Sequence, residues 1–135
     1  MNRRTIQLAI ILVTGCALAL PFVTRHAWAQ QEHTVTRVGI VANPRTFTGS
    51  CPAAIKFTGT IMVSRHPVAV TYEWERSDGA RAQRETVQIR SAGQGVSTTW
   101  RLGAAGQHLR VWERLHVVAP TGITSDSAVA VVNCR

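Results

Sequence analysis

Cysteine is scarce in this 135-residue chain, with three in all, which excludes a disulfide-dense miniature scaffold. Lysine is scarcer still: Lys56 is the only one among fifteen basic residues, and the rest are arginine. There are seven acids, and neither sign of charge gathers into a run. A formal net charge of +8, spread along the chain, favours solubility and draws polyanions weakly, so no specific nucleic-acid partner is expected. The length leaves no room for a two-domain enzyme, and 45% hydrophobic content excludes a disordered tail. No uncharged apolar stretch reaches the roughly 20 residues that a membrane-spanning helix needs.

What is present begins with an export pattern. Arg3 and Arg4 supply a positive start, Ile6 to Leu20 carries no charge, and Pro21 breaks the run. Ala27-Trp28-Ala29 then places small residues where a signal peptidase cuts. Together these features predict a secretory signal peptide over residues 1–29 and one domain over residues 30–135, with a secreted or periplasmic destination. Val13-Thr14-Gly15-Cys16 resembles a bacterial lipobox, and lipidation at Cys16 would instead give a lipid-anchored envelope protein; only then is membrane contact expected. The apolar run from Ala17 to Val23 speaks against that alternative, and Arg3-Arg4 is only half of a twin-arginine signal.

Removal of Cys16 with the signal leaves Cys51 and Cys134, an even count in an exported chain, which reads as a disulfide. The two lie 83 residues apart. Closing such a loop stabilises a small domain by about 4.5 kcal/mol in the chain-entropy model, less any native strain.

Residues 34–134 show period-two alternation and hardly any helical periodicity. Thr34–Val41 is β-branched; Ile55, Phe57, Ile61 and Val63 alternate, with Gly59 on their face as a bulge or a close approach. Val68, Val70, Tyr72 and Trp74 alternate with Thr71, Glu73 and Glu75, and Ser77-Asp78-Gly79 turns the chain. Val87 and Ile89 mark a shorter strand, and Val96, Thr98, Trp100 and Leu102 another. Leu109–Val118 is a sixth, in which Trp112 and Leu115 cannot share one strict alternation; a bulge, or a strand buried on both faces, would reconcile them. Ala128, Ala130, Val132 and Cys134 form the last. Seven antiparallel strands in about 100 residues predict an all-β, immunoglobulin-like sandwich. Both cysteines fall on inward parity, so the bridge is expected to pin the terminal strand across the two sheets.

Ser50-Cys51-Pro52, Phe57-Thr58-Gly59, Tyr72-Glu73-Trp74-Glu75-Arg76-Ser77-Asp78-Gly79, Thr98-Thr99-Trp100-Arg101-Leu102 and Arg114-Leu115-His116-Val117, closed by Cys134, resemble a group of small exported bacterial Ig-like domain proteins. The resemblance runs from about Val38 to Cys134. It implies a β-sandwich with a terminal disulfide and carries over no catalytic residue.

The sequence is poor in chemistry. His33, His66, His108 and His116 lie outside zinc-motif spacing, so neither a metal nor any other cofactor is expected. Glu73 and Glu75 share a face about 6.6–7 Å apart by strand rise, which superficially matches a pair of hydrolytic carboxylates. However, Trp-Glu-Arg occurs at both 74–76 and 112–114, and cross-strand ion pairing is the simpler reading. Trp74 and Trp100 are expected in the core. Trp112, with Arg65, Arg81 and Arg84, is the expected binding surface. These residues predict a non-enzymatic binding or adhesion module for an unknown protein or envelope glycan. The alternatives are an inhibitor or assembly subunit with one protein partner and, behind it, a small hydrolase using Glu73 or Glu75.

Overall fold

Strand β1 (Val35–Asn43) begins the part of the chain that the computed structural model describes, residues 35–135. Residues 1–29, expected to form a signal peptide and including Cys16, lie outside it, as does His33. Eight further strands follow: β2 (Thr46–Gly49), β3 (Ala53–Val63), β4 (Val68–Arg76), β5 (Glu85–Ile89), β6 (Gly93–Leu102), β7 (His108–Ala119), β8 (Ile123–Thr124) and β9 (Ala128–Cys134). One sheet has the order β1-β3-β6; the other has the order β2-β9-β7-β4-β5, with β8 on the edge of β7. The chain is an all-β, immunoglobulin-like sandwich.

Two short strands raise the count from seven to nine, and one pairing is parallel rather than antiparallel. Pro44 has no N–H to donate, so the antiparallel ladder of β1 with β3 ends at Asn43. The chain then crosses to the other sheet, where β2 runs parallel to β9 from Thr46↔Val131 to Gly49↔Cys134. Backbone bonds extend this seam at both ends: Val131 N donates to Arg45 O at 2.8 Å and Arg135 N to Gly49 O at 2.9 Å.

Alternation decides the core. Ala53, Ile55, Phe57, Ile61 and Val63 point inward from β3 and meet Val70, Tyr72 and Trp74 of β4, Leu115 and Val117 of β7, and Ala130 and Val132 of β9, all buried. Burying a side chain of the size of Ile55 or Leu115 contributes about 1.5–3 kcal/mol. Gly59 makes room for the largest of them. A Cβ there would collide with Leu115 Cδ2 and come within 3.3 Å of Trp74 and Val96. The expected close approach is therefore real, and the register runs through Gly59 without a bulge.

The expected bulge at Trp112 is also absent. Strand β7 alternates strictly, with Val111, Glu113, Leu115 and Val117 inward and Trp112, Arg114 and His116 half-buried on the other side. The apparent conflict arose because an acid, Glu113, occupies an inward position. Trp100 corrects a second expectation. It lies on the inward parity of β6 but is only half-buried, and the Arg76 guanidinium covers its ring at 3.9 Å from the centroid.

The Cys51–Cys134 disulfide forms, with Cα atoms 5.4 Å apart. It joins the β2–β3 crossover to the end of β9, and so ties the two sheets together at one end. Gly103, at φ +93°, backs onto it.

Candidate functional site

Strands β4 and β7 set their outward side chains beside one another through the register Glu73↔His116 and Glu75↔Arg114. After Arg76 the chain reverses tightly. Gly79 N donates to Arg76 O at 3.0 Å, Arg76 N to Ala80 O at 3.1 Å, and Ala80 N to the Asp78 carboxylate at 3.0 Å. This returns Arg81 to the side of Glu75 as an isolated bridge, and Ala82 N donates to Trp74 O at 3.0 Å. Ser77 fastens the turn to β7, its N–H donating to Trp112 O at 2.9 Å and its Oγ accepting Trp112 N–H at 3.1 Å.

The result is an alternating row of charges on a rigid sheet. Arg81 Nη1 reaches Glu73 Oε1 at 3.0 Å and its Nη2 reaches Glu75 Oε1 at 3.2 Å. Arg84 Nε donates to Glu73 Oε2 at 3.2 Å, and Arg114 Nη2 to Glu75 Oε2 at 3.1 Å. The Arg114 guanidinium also lies 4.7 Å from the centroid of the Trp112 ring, within cation–π range. A shallow cleft of about 250 Å³ opens beside this row, lined by Glu75, Ser77, Gly79, Arg81, Trp112 and Arg114.

Electrostatics follow from these contacts. The hydrogen bond from Arg84 holds the Glu73 carboxyl below its ordinary value of 4.5, against the opposing effect of burial, with the positive charges of Arg84, Arg81 and His116 adding to the lowering. Glu73 is thus an ionised, doubly paired carboxylate, the opposite of what a general acid requires. On the inner side of the same sheet, Tyr72 donates its hydroxyl to Glu85 Oε2 at 2.9 Å. Burial and that bond push its pKa up to about 12.

Of the residues singled out from the sequence, Trp112 and Arg81 share the cleft. Arg84 stands beside it on Glu73. Arg65 does not join them: it lies exposed in the turn before β4, whereas Arg81 follows that strand's far end. Arg81 and Arg84 are not free loop cations, since both are held by carboxylates of the adjacent strand. Arg114 and Ser77 belong to the site as well. The repeated Trp-Glu-Arg was the signal for Arg114, while the sequence marked Ser77 only as part of a turn. Glu113, expected from the second Trp-Glu-Arg to form a cross-strand ion pair, forms none. It is 1% exposed, its Oε2 has no hydrogen-bond partner, and burial pushes its pKa up to about 7, with Arg76 opposing the rise and Asp78 adding to it.

Two histidines make ordinary cross-strand contacts, His108 Nδ1 with Asn133 Oδ1 at 3.0 Å and His116 Nδ1 with Thr124 Oγ1 at 2.7 Å. Among the described residues, no group of three or more His, Cys, Asp or Glu is gathered to hold a metal ion.

No protein-family model matches the sequence, and no curated protein matches it either. Solved structures do. The CARDB domain of a Pyrococcus furiosus protein, crystallised in complex with di-metal ions, superimposes with a TM-score of 0.51 at 9% identity, covering 75% of this chain and 96% of that one. The likeness is one of fold. A Bifidobacterium dentium beta-glucuronidase complexed with coumarin-3-O-glucuronide matches at a TM-score of 0.45 and 12% identity, over 77% of this chain and 18% of the enzyme. At 9% identity the likeness to the CARDB domain is one of architecture alone, and the chemistry must be argued from the site.

Proposed function

We propose that this protein is an exported, non-enzymatic Ig-like binding module that engages a cell-surface or envelope macromolecule through the Trp112 cleft. The observation that carries the reading is Trp112 itself. A large aromatic ring stands on the outer face of a rigid sheet, stacked with one guanidinium and bordered by another. Such a ring supplies contact area at little entropic cost. Export accords with the signal-like N-terminus and with the Cys51–Cys134 disulfide, which persists in an oxidising compartment. Against catalysis stands the occupation of Glu73 and Glu75 by arginines.

Pairing also favours one ligand class. Three arginines face two carboxylates across the row, so little free charge remains to attract a polyanion. A protein partner, as of an inhibitor or an assembly subunit, suits the cleft better than an anionic glycan. The test compares retention of envelope fractions by immobilised wild-type protein and by Trp112→Ala, at low and at high salt. Retention by the wild type that survives salt and is lost in the variant is expected. Equal retention by both proteins overturns the reading.

A further inference from the structure

The opposite sheet carries a second surface of different character. No acid lies on β1, β3 or β6; their charged residues are Arg37, Lys56 and Arg101. All three are exposed, and none makes an ion pair among the described residues. Over the outer face of β1 and β3 runs a groove of about 620 Å³, lined by Arg37, Gly39, Val41, Thr58, Thr60 and Met62 among others. Its construction follows from the register. The cross-strand pairs are Arg37↔Met62, Gly39↔Thr60 and Val41↔Thr58, and a bulge after Val35 turns both Thr36 and Arg37 outward. Gly39 leaves the middle of the groove bare: a Cβ there would meet nothing within 4 Å. Val41, at one end, is 50% exposed, the one large hydrophobic so exposed among the described residues.

β1 is also an edge strand. It pairs with β3 on one side and with no strand on the other among the described residues. Its nine residues give a pairing edge of about 30 Å at the rise of a β-strand. An edge that is not capped by a neighbour offers its N–H and C=O groups to an added strand. A bare glycine beside that edge suits a large side chain leaning across from the added strand, as aromatic residues cover edge glycines in sheets.

We propose that β1 accepts an extended peptide segment of a partner protein, added as a fourth strand, with an aromatic or large apolar side chain over Gly39 and a carboxylate two residues away against Arg37. The two-residue spacing puts both side chains on one face of the added strand. Charge selects this occupant. A second copy of the chain would bring only cations and a second bare glycine to the same edge, leaving the groove unfilled. A glycan would find no exposed aromatic platform on this face, whose walls are aliphatic and hydroxyl-bearing. This surface is independent of the Trp112 cleft, and its test separates the two.

The probe is the fluorescein-labelled peptide Thr-Val-Thr-Glu-Thr-Phe-Thr-Val, read by fluorescence anisotropy against the full-length processed protein. The comparison arms replace its Phe by Ser or its Glu by Lys, and a further arm uses polygalacturonate as competitor. The wild type and Trp112→Ala are expected to bind the parent peptide saturably and alike. Gly39→Trp, whose Cβ meets nothing within 4 Å and whose ring would occupy the groove, should weaken binding by at least about tenfold, roughly 1.4 kcal/mol, and both peptide replacements should do so too. Circular dichroism of Gly39→Trp that matches the wild type excludes misfolding as the cause, and Gly39→Val serves as a smaller filling if it does not. Absence of binding, equal binding by the filled variants, or indifference to both peptide replacements overturns the proposal. Displacement by polygalacturonate assigns the groove to a glycan and overturns it as well.

Discussion

Arg76 and Glu113 stand opposite one another in the β4–β7 register, yet no ion pair closes between them. Arg76 Nη2 goes instead to Asp78 Oδ2 at 2.5 Å, and its guanidinium covers Trp100 on the facing sheet. Glu113 is left in the interior with Oε2 unpartnered, and the buried Arg76 Nε is unpartnered too. The second cross-strand pair of the two Trp-Glu-Arg segments behaves differently, because Glu75 and Arg114 do pair on the outer face. Identical sequence on adjacent strands thus gives one solvated ion pair and one buried, unmatched acid, because opposite faces of the same sheet receive them.

A buried carboxyl with a raised pKa makes the fold sensitive to pH in a definite direction. The unfolded chain gives up the Glu113 proton near the ordinary 4.5, whereas the folded chain holds it to about 7. Stability from this group is therefore fully present below pH 4.5 and declines as the pH rises to about 7. Glu113→Gln keeps the shape and removes the ionisation. The variant is expected to gain stability over the wild type progressively across that window, by about 2–3 kcal/mol at its upper end. Thermal melts at several pH values check this, and a difference that stays constant with pH contradicts it.

Glu73 responds in the opposite sense. Its carboxyl sits below 4.5, first through the Arg84 hydrogen bond and then through nearby positive charge. The stability it contributes is present above the ordinary carboxylate range and is lost as the pH falls through the lowered value. Arg84→Ala should move the Glu73 carboxyl back toward 4.5 and shift the onset of acid unfolding upward. Carbon NMR of the side-chain carboxyls across an acid titration reads the first effect directly.

Gly59 and Gly39 form a matched pair of tests on one sheet. At Gly59 an added methyl meets Leu115, Trp74 and Val96 in the packed interior, whereas at Gly39 it meets open space. Gly59→Ala is expected to cost about 1–3 kcal/mol by overpacking. Gly39→Ala should be neutral or stabilise by up to about 1 kcal/mol through the loss of unfolded-chain freedom. Urea unfolding midpoints measure both. Equal effects at the two sites would contradict the interior contact assigned to Gly59.

Much of the architecture was legible in the chain because burial in a sheet imposes a period of two. β3, β4, β6 and β9 announce themselves by Ile55-x-Phe57, Val70-x-Tyr72-x-Trp74, Val96 to Leu102 and Ala128-x-Ala130-x-Val132. β2 and β8 escaped because four and two residues carry no readable period, and their pairing depends on where Pro44 releases the chain. β7 misled because the rule that charges face water fails at Glu113, so its alternation seemed broken between Trp112 and Leu115. The cleft was half legible. Trp112 and Arg81 were visible as residue types, but that Arg81 and Arg84 fold back onto Glu73 depends on the turn after Arg76, a relationship no spacing along the sequence encodes.

The disulfide offers the sharpest stability test, because Gly103 is built against it. At φ +93° a side chain is disfavoured, and a Cβ would sit 2.5 Å from Cys134 Sγ and 3.0 Å from Cys51 Sγ. Neither sulfur can yield without moving the other. Removing the bridge by Cys51→Ser with Cys134→Ser should cost about 2–5 kcal/mol, the usual range for a small exported domain. Gly103→Ala is expected to destabilise the oxidised protein by roughly 1–3 kcal/mol, the range for overpacking a tight site. In the double-serine background, where no covalent bond fixes the two side chains, only the backbone part of that penalty should remain. A double-mutant cycle on urea unfolding therefore reads the contact directly: a coupling of about 0.5 kcal/mol or more, the threshold for residues in contact, is expected. Strict additivity would mean that Gly103 is needed for its backbone angle alone.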